Sequence, residues 1–66
     1  MKLKIYSNQS NQIIFNMNSL ILNELLTEYD INVNNENFTE LFETELLSDI
    51  MNQNNINSSK VYYELK

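Results

Sequence analysis

Apolar and polar residues alternate at the start of the chain, with Leu3 and Ile5 set against Lys2, Lys4 and Tyr6. They alternate again over 13–17, where Ile13, Phe15 and Met17 are set against Ile14 and Asn16. A period of two marks a strand with one buried face. The polar segment between them, Ser-Asn-Gln-Ser-Asn-Gln at 7–12, predicts a hairpin loop in which Asn takes the left-handed conformations usually left to Gly. A third alternating run, Lys60 to Lys66, directs Val61, Tyr63 and Leu65 to one side and predicts a last strand.

Between the second and third strands the period changes to that of a helix. Asn18 or Ser19 can cap a helix over 19–29, whose Ile21, Leu22, Leu25, Leu26 and Tyr29 fall on one stripe. A second helix is predicted from 38 to about 52, with Asn37 as cap and Glu40 near the capping-box position. Its main ridge is Phe38, Phe42, Leu46 and Ile50, flanked by Leu41. Glu36, Glu40 and Glu43 gather on another side at i, i+4 and i+7, beside Leu47 and Met51. Four apolar residues, Ile14, Leu20, Leu47 and Met51, fall outside the main stripes.

The order β-β-α-α-β predicts a small single α+β domain spanning 1–66, a three-stranded antiparallel sheet with two helices packed on one face. The terminal strands can lie side by side in such a sheet, and the pattern leaves the strand order open. At 66 residues the chain is near the lower size limit for independent folding.

Composition narrows the chemistry. There is no Cys and no His, which removes disulfides, thiolate chemistry, and the commonest metal ligand and general base. Gly, Pro and Ala are absent while Asn occurs thirteen times, as an AT-rich coding sequence would produce. Such a bias supplies Lys as freely as Asn, yet there are four Lys in all, at positions 2, 4, 60 and 66. Residues 5–59 hold eight carboxylates (Glu24, Glu28, Asp30, Glu36, Glu40, Glu43, Glu45 and Asp49) and no base. If the sheet carries the lysines and the helices the acids, the molecule is electrically two-faced.

One stretch resembles a calcium loop. In Asp-Ile-Asn-Val-Asn-Asn-Glu-Asn-Phe-Thr-Glu-Leu, 30–41, Asp30, Asn32 and Asn34 occupy the first three ligand positions, and Asn35 replaces the usual Gly. The twelfth position, which needs a bidentate Glu, is Leu41, and Glu40 comes one residue early. The segment is therefore read as a turn, with no metal or other cofactor expected. Acidic pairs are inevitable in so acidic a chain, and without His, Cys or Arg there is little to activate a nucleophile. No catalytic residue is assigned. Direct nucleic-acid binding needs a basic stripe, and the interior carboxylates oppose it.

The charge layout points instead to a protein partner. A compact acidic surface attracts proteins whose own surface holds DNA or RNA. Glu36, Glu40 and Glu43, with Leu47 and Met51 as apolar anchor, form the expected partner-binding patch. The expectation is a small inhibitor that blocks a basic nucleic-acid-handling host protein, such as a nuclease, in the cytoplasm. Its character is that of phage and mobile-element proteins that counter host defence, anti-CRISPR proteins among them. The alternative is a self-assembling homodimer or an adaptor subunit of the antitoxin kind, which completes a thin core with a twin. No apolar run is long enough to cross a membrane.

Overall fold

The computed structural model describes residues 1–66 and has the expected α+β architecture. Strands β1 (Leu3–Ser7), β2 (Ile13–Met17) and β3 (Val61–Leu65) form one antiparallel sheet in the order β2-β1-β3, which makes the two terminal strands neighbours. Helix α1 spans Ser19–Glu28. A second helical run, α2, covers 38–53 in three segments, α-helical over Phe38–Leu41, π-helical over Phe42–Leu47 and α-helical again over Ser48–Gln53. A short 3₁₀ turn, Ser58–Lys60, leads into β3. No helix is long and apolar enough to cross a membrane.

The core lies between the helices and one sheet face. Leu3 and Ile5 from β1 meet Leu22 and Leu26 from α1, Ile31 from the connection, and Phe42, Leu46, Leu47, Ile50 and Met51 from α2. Phe42 sits at its centre, fully buried, with ring centroids 5.9 Å from Phe38 and 5.6 Å from Tyr63. Ile21 does not join this stripe and is 45% exposed.

Two departures from the expected phase have local causes. On β2 the pairing runs Leu3 with Met17, Lys4 with Asn16 and Ile5 with Phe15, then Tyr6 with Ile13, so Ile14 is the extra residue of a β-bulge. A one-residue slip turns every later side chain to the other face. Ile13, expected on the inner face with Phe15 and Met17, therefore shares the outer face with Tyr6 and is 48% exposed.

The second departure is in α2. Leu47 and Met51, expected beside the glutamates and outside the main stripe, are core residues. The apolar positions are 38, 41, 42, 46, 47, 50 and 51. Remove one residue between Phe42 and Leu46 and they fall at i, i+3, i+4, i+7, i+8, i+11 and i+12, the spacing of an amphipathic α-helix. The sequence thus carries one residue too many for an α-helix at this point. The π segment takes it up with wider i→i+5 turns, which return Leu47 and Met51 to the face of Phe42. The Thr44 and Ser48 hydroxyls donate to the carbonyls of Glu40 and Thr44, at 2.8 and 3.0 Å, supporting the backbone where the ladder changes.

Chain reversals manage without glycine. Asn11, Asp30 and Asn55 hold the three left-handed positions, with φ of 59, 55 and 54°. Asp30 and Asn55 end the two helices in the same way. Ile31 N–H bonds Leu26 O at 2.9 Å and Asp30 N–H bonds Thr27 O at 3.1 Å, the paired bonds of a Schellman stop. Ile56 N–H and Asn55 N–H repeat them with Met51 O and Asn52 O. In the first stop Ile31 and Leu26 also pack together in the core, the hydrophobic contact that accompanies this motif.

At their N-termini the helices differ. Asn18 caps α1 as expected, its Oδ1 accepting from Ile21 N–H at 2.9 Å. Asn37 makes no side-chain cap, so the expected capping box of α2 is absent. Instead Asn35 Oδ1 accepts from Asn37 N–H at 2.8 Å and Asn32 Oδ1 from Asn34 N–H at 2.9 Å, giving two successive Asx turns.

Three outcomes are expected. Phe42→Ala should cost about 3–5 kcal/mol in chemical denaturation, because the buried ring leaves a cavity. An unchanged midpoint would show that Phe42 does not anchor the core. Deleting Glu45, which is exposed, should leave a cooperative fold with an unfolding midpoint at least equal to the parent, since α2 becomes a regular α-helix. Deleting Glu24 from α1 should abolish cooperative unfolding, because Leu25 and Leu26 rotate off the core. Equal damage from both deletions would sink the account of the π segment.

Candidate functional site

The acidic residues of the helical layer are held out in solvent. Glu24, Glu28, Asp30, Glu36, Glu40, Glu43 and Glu45 are all exposed, and Asp49 is half-buried. None of these eight forms an ion pair. The only salt bridge in the protein joins Lys66 Nζ to Glu64 Oε2 at 3.4 Å, on β3 and the residue after it. Lys4 lies opposite Glu64 across the β1–β3 pair, so basic groups gather on the sheet while the helices stay negative. The two-faced charge layout is present.

Tyrosine takes the place of lysine as a donor to carboxylates. The Tyr63 hydroxyl donates to Glu43 Oε2 at 2.7 Å and ties β3 to α2. The Tyr29 hydroxyl donates to Asp49 Oδ2 at 2.7 Å and ties α1 to the end of α2. On the open sheet face Tyr6 donates to Glu64 Oε1 at 3.0 Å while stacking on Tyr62, with ring centroids 5.0 Å apart. A phenol fixes the direction of a carboxylate without neutralising it. Glu43 and Asp49 are thus oriented without a cation beside them.

These contacts shift the phenols. Partial burial and then the bond to Glu43 push Tyr63 from 10.0 up to about 12. Tyr29 is raised by its bond to Asp49 first and burial second. Glu64 is lowered, chiefly because it accepts the Tyr6 hydroxyl, with Lys66 adding to the effect.

Of the five residues expected to bind a partner, Glu43, Leu47 and Met51 are brought together. They line a groove of ≈ 370 Å³ between α2 and β3, with Ile56, Val61 and Tyr63 opposite. Leu47 and Met51 are its floor: 4% and 8% exposed, they are packed into the core and do not protrude as anchors. Glu40 lies on α2 upstream of Glu43 and is exposed. Glu36 is in the turn before α2, two residues short of its first residue, so the expected single row of three carboxylates along one helix is not formed. The helix begins at Phe38 as expected, which leaves Glu36 outside it. Sequence reasoning missed Ile56, Val61 and Tyr63 as groove residues. The inward alternation of β3 placed Val61 and Tyr63 on the helical side but did not show which helix they face.

No family model matches this chain, no curated protein matches it, and no solved structure matches it. The site is therefore read from its own geometry.

The residues that resembled a calcium loop have structural work here. Asp30 is the left-handed residue of a helix stop, and the Asn32 side-chain oxygen is taken by Asn34 N–H. A hollow of ≈ 400 Å³ at this end of α1, lined by Asn23, Thr27, Asp30, Asn32 and three apolar residues, has a single carboxylate.

The Tyr63 shift yields a pH prediction. A phenol whose folded value is raised holds its proton more tightly in the native state. Its stabilisation is complete below pH 10 and is lost as pH rises towards about 12. Denaturation midpoints measured across that window should fall in the parent and fall less steeply in Tyr63→Phe. Identical alkaline slopes would show that the Tyr63–Glu43 bond does not couple β3 to α2.

Proposed function

We propose that this protein binds a basic, nucleic-acid-handling protein through its acidic helical layer and inhibits it by occupying the surface that would hold nucleic acid. The observation that carries this reading is the unneutralised charge: eight carboxylates between residues 24 and 49 without one ion pair among them. Solubility alone is served by mixed charges, whereas a field of one sign steers association with a partner of the other. The contact patch in this reading is Glu36, Glu40 and Glu43, with Leu47 and Met51 flooring the groove beside Glu43. The action is steric and electrostatic, without catalysis, metal or cofactor, and the setting is the cytoplasm of the cell that contains the partner.

A second reading is favoured by a different feature. Residues 5–23 contain no charged side chain, and within them Ile13, Ile14, Leu20 and Ile21 are 45–68% exposed. This neutral side is where two copies would meet with least repulsion. Solution mass across a concentration series separates the readings: a stable dimer favours self-assembly, a monomer leaves the apolar side free.

The primary reading is tested by charge removal. Replacing Glu36, Glu40 and Glu43 together by Gln keeps size and helix propensity. Affinity for a basic partner captured from host lysate should fall, its salt dependence should flatten, and the unfolding midpoint should hold. The partner's nucleic-acid binding should decline when the parent protein is added. Glu24→Gln with Glu28→Gln on α1 is the control and should matter less. Equal binding by the triple variant at every salt concentration would leave the charge layout as an aid to solubility and end this reading.

A further inference from the structure

We propose that the groove between α2 and β3 receives an extended segment of the partner protein, added to the sheet as a fourth strand beside β3. The proposal rests on the reading of the protein as a binder of basic proteins, and names the chemistry its groove selects: a strand alternating apolar and basic residues.

The main chain of β3 supplies the first argument. Lys66 N–H donates to Lys2 O at 2.9 Å, and Asn8 N–H donates to Lys60 O at 3.0 Å. In an antiparallel pair, alternate residues direct both main-chain groups at the neighbour. The even-numbered residues of β3 therefore face β1, and the N–H and C=O groups of Val61, Tyr63 and Leu65 point away from the sheet. The main-chain groups of these three take part in no hydrogen bond made outside the regular elements, and the bond of Tyr63 to Glu43 uses only its side-chain hydroxyl. An edge with a row of unpaired donors and acceptors is a template for another strand.

Comparison of the two edges singles out β3. The β2 edge is broken by the bulge at Ile14, a device that blunts strand addition. The β3 edge is regular, with five consecutive pairs to β1 and no bulge. Glu64 of β3 and its neighbours Lys60 and Lys66 are all absent from the groove lining. They leave the groove side clear.

Groove chemistry completes the argument. A strand added about 4.8 Å from β3 lies over Leu47, Met51 and Ile56. Every second side chain of the added strand then meets an apolar floor. The single charged group lining the groove is Glu43, one of whose oxygens is held by Tyr63 while the carboxylate stays free of any cation. A Lys or Arg in the added strand pairs with it. Glu43 and Leu47 both belong to the π segment, a distortion found often at functional sites.

The test uses the labelled full chain and three short synthetic peptides: one alternating Leu and Lys, one alternating Leu and Glu, and one of the first composition with Pro at the positions facing β3. Proline removes the N–H that strand addition requires. With the Leu/Lys peptide, amide exchange at Val61, Tyr63 and Leu65 should slow by about tenfold, while the exchange of β2 amides is unchanged. The Leu/Glu and Pro peptides should give no protection, and Glu43→Lys should abolish it in a chain that still unfolds cooperatively, at a midpoint lowered by loss of the Tyr63 bond. Equal binding of the Pro peptide overturns the proposal in favour of unspecific charge attraction. Protection on β2 assigns the wrong edge, and protection of β3 by concentrated protein alone makes a second copy the occupant. Either overturns the proposal. If the Glu36, Glu40 and Glu43 triple variant still loses its salt-dependent partner while the peptides leave β3 unprotected, strand addition fails and the acidic reading stands.

Discussion

The packing of α2 against the sheet is the constraint on which the rest depends. Seven apolar side chains spread over 38–51 must reach one buried face, yet the interval from Phe42 to Leu46 is one residue longer than α-helical phase allows. A π segment is locally poorer in hydrogen bonding than an α-helix, and burial decides the contest. Returning Leu47 and Met51 to the core is worth about 1.5–3 kcal/mol for each side chain, more than a distorted turn costs. The same choice places Glu43 where Tyr63 can reach it, and sets the floor of the groove.

The electrostatics follow from how few bases there are. A protein with nine carboxylates and four lysines cannot pair all its acids internally, and the lysines lie in or beside the terminal strands β1 and β3. Phenols fill the gap at the two joints of α2, to α1 through Tyr29–Asp49 and to β3 through Tyr63–Glu43. Each joint is made without loss of negative charge. Structural stability and an unneutralised surface are thereby made compatible, which ordinary salt bridges would not permit.

Much of the fold was legible in the sequence because it is written in periodicity. The three strands and α1 with its Asn18 cap follow from alternation and spacing, whereas the order of the strands in the sheet does not. The bulge at Ile14 was not legible, since Ile13, Phe15 and Met17 alternate as if the strand were regular. The π segment left a trace, the uneven spacing around Phe42 and Leu46, but a helical wheel drawn at constant pitch turns that trace into misplaced residues. Helix stops were concealed by the absence of glycine: an Asp in the left-handed position at 30 looks the same in sequence as the first ligand of a calcium loop. The acidic half of the site was visible because exposed carboxylates need no partner. The groove was not, because Val61 and Tyr63 come from the far end of the chain and meet α2 only through the sheet order.

The tyrosine–carboxylate bonds also give the molecule a built-in optical reporter. There is no tryptophan, so intrinsic ultraviolet emission comes from four tyrosines alone, and three of them donate to a carboxylate. A phenol bonded to a carboxylate absorbs and emits differently from one bonded to water. Tyr29 reads the contact between the two helices, Tyr63 the contact between helix and edge strand, and Tyr6 the open sheet face. Motion at any of these three joints becomes observable without attaching a dye, and single Phe replacements separate the signals one joint at a time.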